Sequence, residues 1–296
     1  MSIRNHVAGA SVALLFALSA VTAVSTASSA TATNGRIAFE RCTGTATCQI
    51  ISVRPDGTSP LQLTTSGFNE LPTWSPNGSQ IAFVSNRSGS LQIWVMSATG
   101  AGAHRITTPG WNFDPAWSPN GKKLAFVSTR TGSQQIFVLS FSGGPVTQLT
   151  WRGVNESPTW SPDGTKIAFE SNRTGSDQIY TMPASRGTVK SLTAVGANEE
   201  PAWSPNGSLI LFVSNRTGDH HLFTVPATGG TNIRLTSGNF DDDQPAWSPD
   251  GTKIVFTSSR SGSDAIWTIG TTSKATVQLT KNSNVDDVAP SWGVHA

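Results

Sequence analysis

The chain has 296 residues, enough for one large domain or two ordinary ones, and its formal net charge of +2 gives no reason to expect nucleic acid or another polyanion as a partner. Only 13% of the residues are charged, while Gly, Ser, Thr, Pro and Trp abound. That mixture is poor for helices and suits short strands joined by tight turns.

Residues 1–32 come first in chain order. Arg4 lies near the start, an apolar stretch follows, and small residues lead to Ala30-Thr31-Ala32. The pattern predicts a secretory signal peptide, with Ser28-Ser29-Ala30 as a second cleavage candidate and an uncleaved anchor as the alternative. Residues 33–296 are then expected in the periplasm or outside the cell, with no stable membrane span after cleavage. In that oxidising compartment Cys42 and Cys48 predict a disulfide.

Beyond residue 34 the chain repeats itself. Trp-Ser-Pro recurs at Trp74, Trp117, Trp160, Trp203 and Trp247, and Trp292 follows, at spacings of 43, 43, 43, 44 and 45 residues. A proline stands two residues before each: Pro72, Pro115, Pro158, Pro201, Pro245 and Pro290. Each unit reads as four strands. The Pro-x-Trp segment starts the first, an S-P-D/N-G turn leads to an apolar run such as "KIAFE", an N-R-T-G turn leads to a third strand such as "QIWVM", and "HRITT" or "VTQLT" is the fourth. Four short antiparallel strands in about 43 residues are the signature of a propeller blade.

The apolar second strand occurs six times. Its first copy, at 36–40, has no Pro-x-Trp strand before it, and the last Pro-x-Trp strand, at Trp292, has no second strand after it. The two ends are complementary halves of one blade. The expected fold is therefore all-β: a six-bladed β-propeller with four antiparallel strands per blade, closed by pairing of the N- and C-terminal strands, which removes exposed sheet edges. The periodic tryptophans suit the wedge between neighbouring sheets. Trp111 and Trp151 break the period and are candidates for surface contact.

The unit P-x-W-S-P-D-G-x-x-I-A-F-x-S-x-R-x-G resembles the repeat of TolB-type six-bladed propellers, which also accompany the hydrolase domains of prolyl-oligopeptidase-like enzymes. The resemblance covers residues 34 to 296 and is to the propeller alone, without TolB's additional N-terminal α/β domain. In the Tol–Pal envelope system that propeller docks a peptidoglycan-associated lipoprotein at one end of its channel. The resemblance thus implies an exported scaffold that binds a protein or peptide.

In a propeller the first strand is innermost, so the residues entering it surround one mouth of the channel. Three before each proline stand Asn69, Asn112, Asn155, Asn198, Asp242 and Asp287; two before stand Glu70, Phe113, Glu156, Glu199, Asp243 and Val288; Asp114 and Glu200 add carboxylates one residue later. An acidic collar is predicted as the binding site. Arg87, Arg130, Arg173, Arg216 and Arg260, one per blade in five blades, fall in turns at the same end. They are expected to pair with the collar while its Asx side chains cap turns; on the rival reading the collar binds a cation or a basic partner segment. Its hard oxygen donors make calcium the candidate metal, and no other cofactor is indicated. His104, His220, His221 and His295 show no ligand spacing. No nucleophile elbow or phosphate loop appears, so no catalytic residue is assigned. The expectation is a monomeric, non-catalytic propeller that binds a protein or peptide at one channel mouth. The alternative is a propeller enzyme, a metal-assisted lyase or hydrolase using the collar.

Overall fold

The computed structural model describes residues 33–44, 47–281 and 284–295; the expected signal peptide lies outside them. Each repeat folds into a four-stranded antiparallel sheet in chain order, as in blade 2, where Asn69–Trp74, Gln80–Ser85, Gln92–Ser97 and His104–Arg105 follow one another outward from the axis. Five such sheets and a sixth composite one make the ring among the described residues. In the composite sheet, blade 1, the last strand (Asp286–Val294) pairs with the first (Asn34–Cys42), opposing Arg41 to Asp287 and Ile37 to Trp292. Cys42 and Cys48 face each other across the adjacent ladder and form a disulfide.

The second strands are buried on both faces: Phe39, Phe83, Phe126, Phe169, Phe212 and Phe256 are all inaccessible. Each Trp-Ser-Pro tryptophan packs backward onto the preceding blade. Trp160 meets Ala125, Ile136 and Val138 of blade 3, and Trp292 meets Val255 and Ile266 of blade 6. The indole N–H of Trp117 and Trp160 donates to the carbonyls of Thr73 and Ala116 in the preceding first strands.

The fourth strands are shorter than the sequence predicts, two residues in most blades. A threonine side chain takes over the ladder there. Thr64, Thr107, Thr150, Thr193, Thr236 and Thr280 each accept, through Oγ1, the N–H of a third-strand residue at 2.9–3.0 Å. The S-P-x-G turns close as predicted, with Gly164 at φ 70° donating to Ser161 O and Asp163 Oδ1 accepting from Ser161 and Thr165.

Antiparallel order fixes which turns share an end. The connections between blades and the turns between second and third strands lie at one end of the ring, the upper end. The S-P-x-G turns and the turns between third and fourth strands lie at the lower end.

Candidate functional site

The first strands line an axial cavity of about 250 Å³. Each carries a bulge: in blade 2 the pairing register shifts between Glu70 and Thr73. The residue before each proline consequently sits in the left-handed region, with φ of 51° at Leu71, 49° at Asp114 and Ser157, 54° at Glu200, 53° at Gln244 and 50° at Ala289. A non-glycine residue pays roughly 1–2 kcal/mol in this conformation. The gain is orientation, because the bulge breaks the strand's alternation and turns the residue before each proline, such as Leu71, onto the channel.

The N–H groups turned out by the bulges are held by side-chain oxygens. The N–H of Leu71 donates to Glu40 Oε1 at 2.6 Å, that of Ser157 to Asp114 Oδ2 at 3.0 Å, that of Glu200 to Glu170 Oε2 at 3.3 Å and that of Ala289 to Gln244 Oε1 at 2.8 Å; that of Gln244 donates to Glu200 Oε2. Each acceptor comes from the preceding blade. The oxygens thus tie neighbouring blades together around the axis.

The predicted Asx ring lies elsewhere than expected. Asn69, Asn112, Asn155, Asn198 and Asp242 are completely buried and Asp287 nearly so. They sit beneath the mouth and do not line it, because the ordinary alternation of the strand turns them into the blade interface. The Oδ1 atoms of Asn69, Asn112, Asn155, Asn198 and Asp242 accept from Arg87, Arg130, Arg173, Arg216 and Arg260 at 2.5–2.9 Å. Each guanidinium also lies over the rings of its own blade, as Arg130 does over Phe126 and Phe137 at 5.2 and 4.8 Å. The arginines therefore pair with the buried Asx residues and not with the mouth carboxylates. Sequence counting missed the sixth member: Arg41 grips Asp287 through two bonds of 2.7 and 2.8 Å. It occupies the position that Ser85 holds in blade 2, and only the closing register brings it opposite Asp287.

The amide side of this ring explains a second pattern. The Nδ2 groups of Asn69, Asn112, Asn155 and Asn198 donate to Gln49, Gln92, Gln135 and Gln178 of the preceding blade. Where the preceding blade offers His221 or Ala265 in that place, the Asx residue is Asp242 or Asp287, which needs no acceptor. His221 Nδ1 and Asp242 Oδ2 are left buried without hydrogen-bond partners, 3.9 Å apart.

Asp114 and Glu200 line the axial cavity, and Glu199, Glu200, Asp243 and Asp264 line a second one beside Val288; Glu70 and Glu156 are half-buried and close enough to Asp114 to feel its charge. Four further acids that the repeat did not reveal lie near them, Asp264 on that second cavity and the others close enough to feel their charges. Glu40 and Glu170 end second strands where other blades carry Val84, Val127, Val213 or Thr257, and Asp177 and Asp264 immediately precede third strands. A lone acid at the end of an apolar run was the available signal. Burial raises Glu40 and Glu200 to about 8, Glu156 to about 7 and Asp114 to about 6; burial, reinforced by Glu199 and Glu156, raises Glu170 to about 9. Burial also pushes Glu70, Glu199, Asp243 and Asp264 upward.

Glu170, Asp177 and Glu199 bring carboxylate oxygens within 4.8 Å of one another, a donor set of the hard-oxygen kind that suits calcium. His220 Nδ1 lies 2.8 Å from Asp243 Oδ1. Burial pulls this imidazole down, but the Asp243 bond and the charges of Asp243 and Glu199 outweigh it, and the net shift is upward. Trp111 and Trp151 are both 59% exposed on connections between blades, and the Arg186 guanidinium covers one face of Trp151 at 4.5 Å.

A family model described as the TolB beta propeller domain matches residues 107–199 and 194–295. The chain belongs to the TolB β-propeller family. Among solved structures, TolB from Acinetobacter baumannii is 26% identical with a TM-score of 0.79, covering 87% of this chain and 66% of that one. A putative TolB from Agrobacterium tumefaciens is 24% identical with a TM-score of 0.70, covering 83% of this chain and 88% of that one. Hydrazine synthase from Kuenenia stuttgartiensis, 15% identical with a TM-score of 0.74 over 88% of this chain and 47% of that one, shares the fold. No curated protein matches the chain. No helix of the described residues in this family member is long and apolar enough to cross a membrane.

Proposed function

We propose that this protein is an exported, non-catalytic propeller whose upper mouth docks a protein or peptide presenting a cationic segment, as the resemblance to TolB-type propellers implies. The observation that supports the reading is the gathering of carboxylates around the upper mouth, where burial pushes their pKa values upward and neighbouring charges oppose their ionisation. A cation entering the mouth lets those groups ionise and relieves their mutual repulsion. Two carboxylates about 7 Å apart repel by roughly 2 kcal/mol at an effective dielectric of 20, so a partner that neutralises several of them gains that energy. The test is capture from cell-envelope extract by the protein and by its Glu70→Ala/Glu156→Ala/Glu199→Ala variant. Strong, salt-sensitive capture by the first and little by the second is expected; equal capture by both refutes the mouth as the contact.

Glu170, Asp177 and Glu199 support a second element of this reading, a calcium ion bound beside the partner. Calorimetry with calcium, repeated on Glu170→Gln, tests it: no heat and no thermal shift eliminates the ion. The His220–Asp243 pair beside these carboxylates favours the enzyme alternative, a metal-assisted lyase or hydrolase. Activity profiling with and without divalent ions on His220→Ala separates that reading from simple docking.

A further inference from the structure

The net charge of +2 conceals a strong segregation. Of the eighteen acidic residues, fifteen lie at the upper end, and the three at the lower end, Asp56, Asp163 and Asp250, each accept hydrogen bonds inside their own turns. The lower turns carry Arg54, Lys122, Lys123, Lys166, Lys253 and Lys274, all exposed. The near-neutral total is therefore a cancellation between two ends, one negative and one positive. Strands of six residues at about 3.3 Å each hold those ends roughly 20 Å apart, about two screening lengths at physiological salt. An object touching the lower end experiences the lysines, with little opposition from the acidic mouth.

Two features say what that object is. The basic residues stand on turns of four different blades, an extended charged face and not one compact site, with grooves of about 310 Å³ between neighbouring S-P-x-G turns. The backbone also enters the ring there: Asn34 is tied to Asp250 of the neighbouring turn through a 2.9 Å bond, and Thr33 O accepts the N–H of His295. The sequence before this point contains no Asp, Glu, Lys or Arg between Arg4 and Arg36 and is largely apolar.

We propose that the lower end rests on an anionic bilayer surface, its lysines against lipid phosphates, with the acidic mouth turned to solution. The orientation follows from charge, since the same surface repels the upper end. It does not depend on whether the mouth holds a partner or an ion.

The experiment is flotation of the full chain with two kinds of vesicle, phosphatidylcholine alone and phosphatidylcholine mixed with phosphatidylglycerol, at low and physiological salt. A contribution from the apolar N-terminal stretch, where it is retained, would be the same for both kinds, so the difference between them reports the charged face. Binding to the anionic vesicles is expected to exceed binding to the neutral ones by about tenfold or more and to weaken with salt. In Lys122→Gln/Lys123→Gln/Lys166→Gln/Lys253→Gln the preference is expected to fall roughly fivefold per lysine that meets the surface, the factor that corresponds to about 1 kcal/mol each. Glu156→Gln/Glu199→Gln is expected to keep the preference. These lysines are exposed at turn margins, and an unchanged melting temperature shows that the fold survives. Soluble polyphosphate separates lipid from free phosphate: if it binds with the same lysine dependence while the anionic vesicles show no excess, the bilayer is refuted. Equal flotation with both vesicle types, or an unchanged preference in the lysine variant, overturns the proposal.

Discussion

Glu40→Gln isolates one buried mouth carboxylate. Glu40 is 6% exposed, and its Oε1 accepts the Leu71 N–H at 2.6 Å, a bond that glutamine can keep with its own carbonyl. Burial raises its pKa from 4.5 to about 8; the Leu71 bond opposes this and the charge of Glu70 adds to it. The sign follows from proton binding. Below about pH 4.5 both the folded and the unfolded chain hold the proton, and the variant should match the parent. Between 4.5 and 8 the unfolded chain releases it while the folded chain keeps it, so the parent loses about 1.4 kcal/mol of stability per pH unit. The variant has no such proton. Its advantage should therefore grow from near zero at pH 4.5 to about 3 kcal/mol at pH 7, and level off near 5 kcal/mol above pH 8. Urea unfolding of both proteins at three pH values reads this directly from the midpoints. An advantage that is constant with pH, or that shrinks as pH rises, refutes the assignment of Glu40 as a carboxyl kept neutral by burial.

Three further outcomes test the framework. Arg130→Ala should cost about 2–4 kcal/mol in chemical unfolding, because it strips the buried Asn112 oxygen of its donor at 2.9 Å and removes the cation from two rings; a neutral effect would mean that the buried Arg–Asx pairs do not stabilise their blades. His221→Gln combined with Asp242→Asn should restore the amide pair of the other blades and raise stability by about 1 kcal/mol, since two orphaned polar atoms regain partners; a lower melting temperature than the parent would contradict that reading. Trp292→Ala should cost about 3–5 kcal/mol, as much as a central core residue, because this tryptophan near the chain end seals blade 1 against blade 6; a loss below about 1 kcal/mol would argue that closure through the last strand is dispensable.

The mouth shows where reading the sequence stops short. Counting back from the prolines picks out Glu70, Glu156, Glu199 and Asp243, of which Glu199 and Asp243 line a cavity at the upper end. The same count also picked out Asn69 and its equivalents, which are buried one position away. A single residue's shift along a strand reverses the face, and the bulge that adds Leu71 and Asp114 to the channel has no letter of its own. Arg41 was overlooked because its partner, Asp287, is 246 residues away and becomes its neighbour only on closure. Glu40 and Glu170 lie on second strands, outside any count from the prolines, and only the packing of one blade on the next aims them at the N–H groups of Leu71 and Glu200.

By itself the sequence determined the number of blades, their four strands, the hydrophobic core and the manner of closure, because each is encoded by local periodicity and by turns that need only nearby residues. Tertiary structure alone decided which polar groups are buried pairs and which are free to meet a partner. Those properties depend on distances between blades, and one-dimensional order does not carry them.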